Sequence, residues 1–223
     1  AFEGLLLITK RFDLAKEVLL TFTRDIKYGL VPNGYSGFDS RPLYNSVDSS
    51  LLLFEQVQKY IDYTGDYKFI KTNLYHIMKN IIKMFIKGIN VDNSNIYVDA
   101  DGLVSAGSDE TQLTWMDAKI GNYVVTPRSG KAVEINALWY NALKVTENFA
   151  KQFKDEKTEK ECKELAKKVK TSFRNKFYNK DKKCLYDVIG DSKIRPNQLF
   201  SLALTNPVIT LNTDKAKDIF ETL

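Results

Sequence analysis

Six segments with the apolar periodicity of helices constrain the fold most, because they are of two kinds. Three carry apolar residues on one face and charged residues on the other, at 12–28, 66–87 and 157–178. The other three are apolar on most sides, at 46–63, 132–153 and 197–204. A helix of the first kind has one solvated face, whereas a helix of the second kind is covered on most sides. Their alternation along the chain predicts an all-α protein with inner and outer helices.

The loops between these segments show a matching asymmetry. The turn from an inner to an outer helix is short, as at Thr64-Gly65-Asp66, whereas the connections from outer to inner helices are long. One long loop is expected to contain a short β pair, 96–98 with 103–105, turning at Asp101-Gly102. All the long loops should meet at one end of the molecule, beside the N-termini of the inner helices. Because loops on a rigid scaffold commonly carry function, we expect the functional site at that end.

Composition and charge argue against several classes of protein. The net charge is +5, but the lysines concentrate at 151–183, where they alternate with acidic residues. Such mixed charge is typical of a solvated helix face rather than of nucleic-acid binding. No signal peptide or membrane-spanning apolar run is recognisable, and Cys162 and Cys184 fit no metal or redox spacing. We therefore expect a cytoplasmic protein with reduced thiols and with neither a nucleic-acid nor a membrane partner.

The densest group of chemically useful residues lies between 108 and 141. Gln112, Trp115 and Asp117 fall within six positions, and Arg128 and Glu134 follow at the start of an inner helix. An indole ring offers a flat apolar face to sugar C–H groups, and it can raise the pKa of a nearby acid by desolvating it. This pattern suits sugar chemistry. The alternative is a structured loop with its tryptophan in the core.

The same region resembles the amylo-α-1,6-glucosidase region of glycogen debranching enzymes, through QLTWMDAKIG followed by TPRSGKAVEINALWYNAL. Upstream GLVPNGYSG, PLYNSVDSSLLLF and YTGDYKFI, and downstream IRPNQLFSLAL, resemble that family in the same order. The resemblance implies an (α/α)6 barrel of twelve helices, of which about half is present. Residues 1–223 are then expected to form a single partial domain, incomplete at both ends, with apolar edges that self-association could cover.

The resemblance also implies a chemistry, the inverting hydrolysis of α-1,6-glucosidic branch points in glycogen or related α-glucans. One carboxylic acid protonates the leaving oxygen, and a second carboxylate activates water. Asp117 stands at the position of the family's general acid, and Trp115 and Met116 are expected to limit its solvation. The family's general base is expected downstream of this chain. Such chemistry requires no cofactor, and the sequence contains no metal-binding pattern.

Sugar recognition is expected from planar hydrogen-bonding groups and aromatic rings. The candidates are Tyr44, Asn45, Asp48, Gln112, Trp115, Arg128, Glu134 and Asn136. Asn45 has a second interpretation as a helix cap, Trp139 is favoured as core, and His76 is read as structural. The alternative function is non-catalytic glucan binding. A sugar epimerase on the same barrel would need histidine acid–base partners, and the chain has one histidine.

Overall fold

The computed structural model describes residues 1–222, and these are mainly helical. The α-helices, in chain order, are α1 Phe12–Arg24, α2 Asp48–Thr64, α3 Tyr67–Phe69, α4 Tyr75–Lys87, α5 Val133–Phe153, α6 Glu156–Lys176, α7 Phe200–Ala203 and α8 Asp214–Glu221. Wider π-helical turns lie at Glu3–Leu7 and Ile70–Leu74, and a 3-10 turn at Pro196–Leu199 leads into α7. The predicted helical class is confirmed, while the twelve-helix barrel remains a prediction.

Four short antiparallel hairpins lie in the loops of the described chain. They pair β1 Gly34–Tyr35 with β2 Pro42–Leu43, β3 Tyr97–Val98 with β4 Val104–Ser105, β5 Lys119–Ile120 with β6 Tyr123–Val124, and β7 Tyr178–Asn179 with β8 Cys184–Leu185. The β3–β4 hairpin confirms the predicted pair. All eight of these strands have only two residues, which is too short for an alternating pattern to show in sequence, and the β3–β4 pair was predicted from its Asp101-Gly102 turn.

Helix α5 is the centre of the fold and contacts α2, α4, α6 and α7. Fifteen of its 21 residues are buried, as the broad apolar pattern predicts. Trp139 is fully buried, stacks on Phe85 of α4 at 5.7 Å between ring centroids, and donates its indole N–H to the Gly102 carbonyl at 3.1 Å. The interpretation of Trp139 as a core residue is therefore confirmed.

Helix α6 is an outer helix that covers α5. The chain reverses at Lys154, which adopts φ 61°, and the carboxylate of Asp155 then accepts the Thr158 amide hydrogen to cap α6. Cys162, Ala166, Val169 and Phe173 form its buried stripe, and the lysines face outward. The mixed-charge segment is thus a solvated helix face. In the part of the chain described here, no helix is both long and apolar enough to cross a membrane.

Two predicted helices differ from the structure. The first was expected to continue to residue 28 with Gly29 as its cap, but α1 ends at Arg24. Tyr28 and Gly29 instead form the centre of a tight turn in which Lys27 and Leu30 exchange backbone hydrogen bonds. The segment 197–204 was expected to bury apolar residues on most sides. Its most buried side chains are polar, namely Asn197, Gln198 and Ser201.

Candidate functional site

A pocket of about 280 Å³ lies where the first turns of α2 and α5 meet the loop of Trp115 and the start of α7. Its lining residues are Asp48, Leu52, Trp115, Glu134, Leu138 and Phe200. Three of them, Asp48, Trp115 and Glu134, are predicted site residues that come from separate parts of the sequence. The fold therefore brings together three side chains that sequence reasoning assigned to sugar recognition.

Asp48 begins α2 and is held as a buried carboxylate. Ser46 Oγ donates a hydrogen bond to Asp48 Oδ1, and the same Ser46 oxygen accepts the Ser49 amide hydrogen at 3.2 Å. Ser46 thereby holds both the Asp48 carboxylate and the first turn of α2, although Val47 occupies the N-cap position. Burial raises the pKa of Asp48, although hydrogen bonds from Ser46 and from the backbone amides of Ser49 and Trp115 offset part of that rise. The pocket thus contains a carboxyl group with an increased affinity for a proton.

Trp115 forms the aromatic wall of the pocket. Its side chain is a loop residue with 55% of its surface exposed, so the alternative of a core tryptophan does not hold at this position. The indole Nε1 donates to Asn197 Oδ1 at 2.8 Å, which ties the loop to the 3-10 turn before α7. An exposed indole fixed at its polar edge leaves its apolar face free for a ligand.

Glu134 lies in the first turn of α5 and is 1% exposed. Arg128 binds both of its carboxylate oxygens, with 2.6 Å between Arg128 Nη2 and Glu134 Oε2. Burial raises the pKa of Glu134, and the Arg128 guanidinium opposes that rise. Burial alone would lower the pKa of Arg128, but the hydrogen bonds that it donates to Glu134 and Asp187 raise the pKa instead, so Arg128 stays charged. A forked ion pair of this kind fixes the carboxylate in one orientation.

Asp187 connects this ion pair to the opposite wall of the pocket. It accepts hydrogen bonds from Arg128 Nε at 2.8 Å, Arg195 Nη1 at 2.6 Å and Asn197 Nδ2 at 2.7 Å. Sequence reasoning did not select Asp187. The available signal was a lone acid in the otherwise apolar extended stretch 184–189, ahead of the basic Arg195. A buried charge with no paired cation is costly, so such an acid predicts an arginine partner.

Comparison with known proteins identifies the family of this chain. A family model described as amylo-alpha-1,6-glucosidase matches residues 1–223. The chain belongs to the amylo-α-1,6-glucosidase family. It is also similar to the glycogen debranching enzyme of Saccharomyces cerevisiae (strain ATCC 204508 / S288c), with 30% identity over 193 residues, which cover 64% of this chain and 12% of that protein. The chain therefore spans a small part of the length of that relative.

Asp117, the predicted general acid, lies on the exposed loop beyond Trp115. It is absent from the pocket lining and makes no side-chain hydrogen bond or ion pair within residues 1–222. The expectation that Trp115 and Met116 shield it is wrong for these residues. The Trp115 ring is itself largely exposed, and Met116 turns toward Asn197, with 3.5 Å between the Met116 sulfur and Asn197 Nδ2.

Three predicted residues of this amylo-α-1,6-glucosidase family member lie away from the pocket lining and are held by other parts of the fold. Tyr44 is half-buried and donates its hydroxyl to the Asp25 carbonyl at 2.7 Å. Gln112 lines a separate small cleft beside Arg128. Asn136 is fully buried, and its amide binds the backbone of Val104 and Ala132. Asn136 thus braces the β3–β4 hairpin, which leaves its amide occupied.

Arg128 and Asn45 complete the predicted set. Arg128 is buried and contacts the pocket only through Glu134, so it acts on that carboxylate rather than on the pocket space. Asn45 is half-buried next to Ser46, and its Oδ1 is buried without a hydrogen-bond partner in the described part of the chain. A buried acceptor without a partner is unusual. Asn45 therefore retains a free acceptor close to Asp48 in sequence.

Larger clefts exist elsewhere, but the site residues do not converge on them. One of about 490 Å³ lies between α4, α5 and α6, and an apolar groove of about 520 Å³ lies between the N-terminal turn, α1 and α2. Neither contains a predicted sugar-binding residue. His76 is exposed on α4. Among the residues with a described structure, no group of three or more His, Cys, Asp or Glu is placed to hold a metal ion.

Proposed function

We propose that this chain contributes the acid side of an α-1,6-glucosidase site that acts on the branch points of glycogen or related α-glucans. The observation that carries the proposal is the convergence of Asp48, Trp115 and Glu134 on one pocket in a member of the amylo-α-1,6-glucosidase family. At about 280 Å³, the pocket lies at the small end of ligand sites. That volume suits a single terminal glucose better than an extended chain.

Each pocket residue has a role that follows from its chemistry. The Trp115 ring packs against the apolar face of the glucose ring. The Asp48 and Glu134 carboxylates bind glucose hydroxyls, and buried hydrogen bonds of this kind discriminate strongly against sugars that lack the hydroxyl. Arg128 keeps Glu134 in one orientation.

Asp117 is proposed as the general acid that protonates the glycosidic oxygen. Hydrolysis with inversion also needs a carboxylate on the opposite face of the sugar to activate water. Asp48 and Glu134 are both buried and held in place, by Ser46 and by Arg128, so both suit substrate binding better than activation of water. We therefore assign the general base to a glutamate downstream of residue 223, as the resemblance to the family implies.

Non-catalytic glucan binding is the second candidate. The exposed position of Asp117 favours it, because a general acid is normally desolvated or paired so that it stays protonated near neutral pH. In this case the pocket would bind a glucose unit without turnover.

The test is glucose release from a phosphorylase limit dextrin by a protein that carries this chain together with the assigned base, compared with its Asp117→Asn variant. We expect the variant to release glucose at least about a hundredfold more slowly, because general acid–base catalysis contributes at least that factor to the rate. Asp109→Asn is the matched control, because Asp109 lies on the same loop and contacts only Ser129. It should release glucose at the rate of the unaltered chain.

Binding of the same dextrin, measured by calorimetry, separates the two candidates. Binding without glucose release by the folded protein that carries the assigned base supports the non-catalytic function. A folded chain that neither binds nor cleaves the dextrin overturns both. Equal rates for the unaltered chain and Asp117→Asn would remove Asp117 as the acid.

A further inference from the structure

A continuous run of hydrogen bonds joins two residues of the pocket lining, Trp115 and Glu134. It begins at the Trp115 indole, passes to Asn197 at 2.8 Å and to Asp187 at 2.7 Å, and continues through Arg128 to Glu134. Asn197 and Asp187 are 1% and 2% exposed, so the bonds from Asn197 through Asp187 to Glu134 are buried, while the bond from the exposed Trp115 is partly buried. In such surroundings each unmade hydrogen bond is costly, and a fully satisfied network has one favoured arrangement.

Asn197 is the point at which this network reaches Trp115, and its orientation is dictated by charge. A carboxylate only accepts hydrogen bonds, so the Asn197 NH2 group must face Asp187. The amide oxygen is then the only group left for Trp115, and an indole N–H is the donor it requires. Asn197 also follows Pro196, which fixes the backbone of the 3-10 turn. The acceptor is therefore presented from a rigid segment in a single orientation.

We propose that Asn197 is a positioning residue that holds the Trp115 indole as the wall of the glucose pocket, with Asp187 setting the orientation of its amide. This proposal rests on the proposed glucan function for its effect on binding, but not for its geometry. Loss of the Asn197 side chain leaves the exposed indole free to rotate. Because affinity falls in proportion to the fraction of molecules with a competent pocket, the variant binds glucan more weakly without losing a direct contact to it.

The geometry is tested by hydrogen exchange of the two indole N–H groups in the ¹⁵N-labelled chain, assigned with a Trp115→Phe variant. In the unaltered protein the Trp115 indole hydrogen should exchange about tenfold more slowly than that of free tryptophan, as a hydrogen bond of ordinary net strength requires. In Asn197→Ala this protection should disappear. Trp139, which donates to Gly102, should keep its own protection in both proteins.

The effect on binding is tested with a maltooligosaccharide and with limit dextrin. We expect Asn197→Ala to weaken binding about fivefold to tenfold. Asn73→Ala is the matched control, because Asn73 makes its amide bond to the Phe69 carbonyl, away from the pocket, and it should change neither indole exchange nor affinity.

The outcomes of these experiments test the positioning role and the proposed glucan function separately. Free exchange of the Trp115 indole in the unaltered protein overturns the positioning role without any variant. Lost protection in Asn197→Ala with unchanged glucan affinity also overturns it, since the bond would then be structural only. Protection without any glucan binding by the unaltered chain defeats the proposed function but leaves the geometry established. If Asn197→Ala does not fold, Asn197→Ser, whose side chain is too short to bridge Trp115 and Asp187, takes its place.

Discussion

The buried carboxylate of Asp48 lowers the free energy of unfolding of the folded protein at neutral pH. Burial raises the pKa of its carboxyl group, so the folded protein holds a proton there more tightly than the unfolded chain does. Above the usual pKa of an aspartate, about 3.9, the unfolded state therefore binds fewer protons than the native state. The free energy of unfolding then decreases as the pH rises. A buried carboxylate with these properties is typical of sites selected for function rather than stability.

We predict that Asp48→Asn increases the free energy of unfolding at neutral pH and weakens glucan binding. The amide has similar shape and no charge to desolvate, so the gain should grow as the pH rises from 4.5 to 7.5. Urea denaturation at the two pH values measures it. Asp181→Asn serves as the control, because Asp181 is exposed and its side chain makes no hydrogen bond or ion pair within residues 1–222. A gain that is equal at both pH values would contradict the assigned cause.

The turn after α1 illustrates how a tertiary contact determines the end of an element. Tyr28 and Gly29 have φ values of 59° and 80°. Successive residues with positive φ at the centre of a two-residue turn are typical of type I′ geometry, in which glycine is favoured. A Cβ added to Gly29 would lie 2.5 Å from the Met84 Cβ on α4. The glycine is therefore required by its own backbone and by the helix that packs against it.

We predict that Gly29→Ala lowers the free energy of unfolding by about 2–4 kcal/mol, from the cost of positive φ and of forcing Met84 to move. Thermal and urea unfolding followed by circular dichroism measure the loss. Gly37→Ala provides the comparison, because Gly37 has open space around its Cα and no positive φ, and it should stay within about 0.5 kcal/mol of the unaltered chain. Equal stability of the two variants would refute this account.

At the scale of the whole molecule, an apolar groove lies next to the candidate site. The groove of about 520 Å³ is lined by apolar residues of the N-terminal turn, α1 and α2, including Leu5, Phe22 and Leu52. Leu52 also lines the candidate pocket, so this groove adjoins the site. Exposed apolar surface of this extent is typical of regions that contact other protein surfaces. The predicted self-association would bury this face.

We predict that Phe22→Ser reduces self-association of the chain at high concentration. Phe22 is 53% exposed, so the change should alter the free energy of unfolding by no more than about 0.5 kcal/mol. Sedimentation velocity over a range of concentrations measures the effect. Phe38→Ser is the matched control, because Phe38 is fully exposed and lies outside the groove. The prediction fails if both variants associate as the unaltered chain does.

Periodicity in the sequence located the main helices and separated the more buried α2 and α5 from the outer α1, α4 and α6, but it misjudged the segment 197–204. The reason is physical, since a helix buried on most sides, such as α5, must be apolar on most sides, and α6 must keep its lysines in water. The same local chemistry predicted the β3–β4 hairpin, the turn at Gly65 and the group of Asp48, Trp115 and Glu134 as site residues.

The tertiary structure alone decided which of these residues share a pocket and what holds them there. Asp187 and Asn197 act through partners 59 and 82 positions away in the chain, Arg128 and Trp115, and such pairing leaves no periodic signal. For the same reason, the sequence did not distinguish Asn136 from residues that face the pocket. The Asn136 side-chain amide is hydrogen-bonded to the backbone of Val104 instead. Local sequence fixes backbone preference and burial, but hydrogen-bond partners depend on the distances that packing creates.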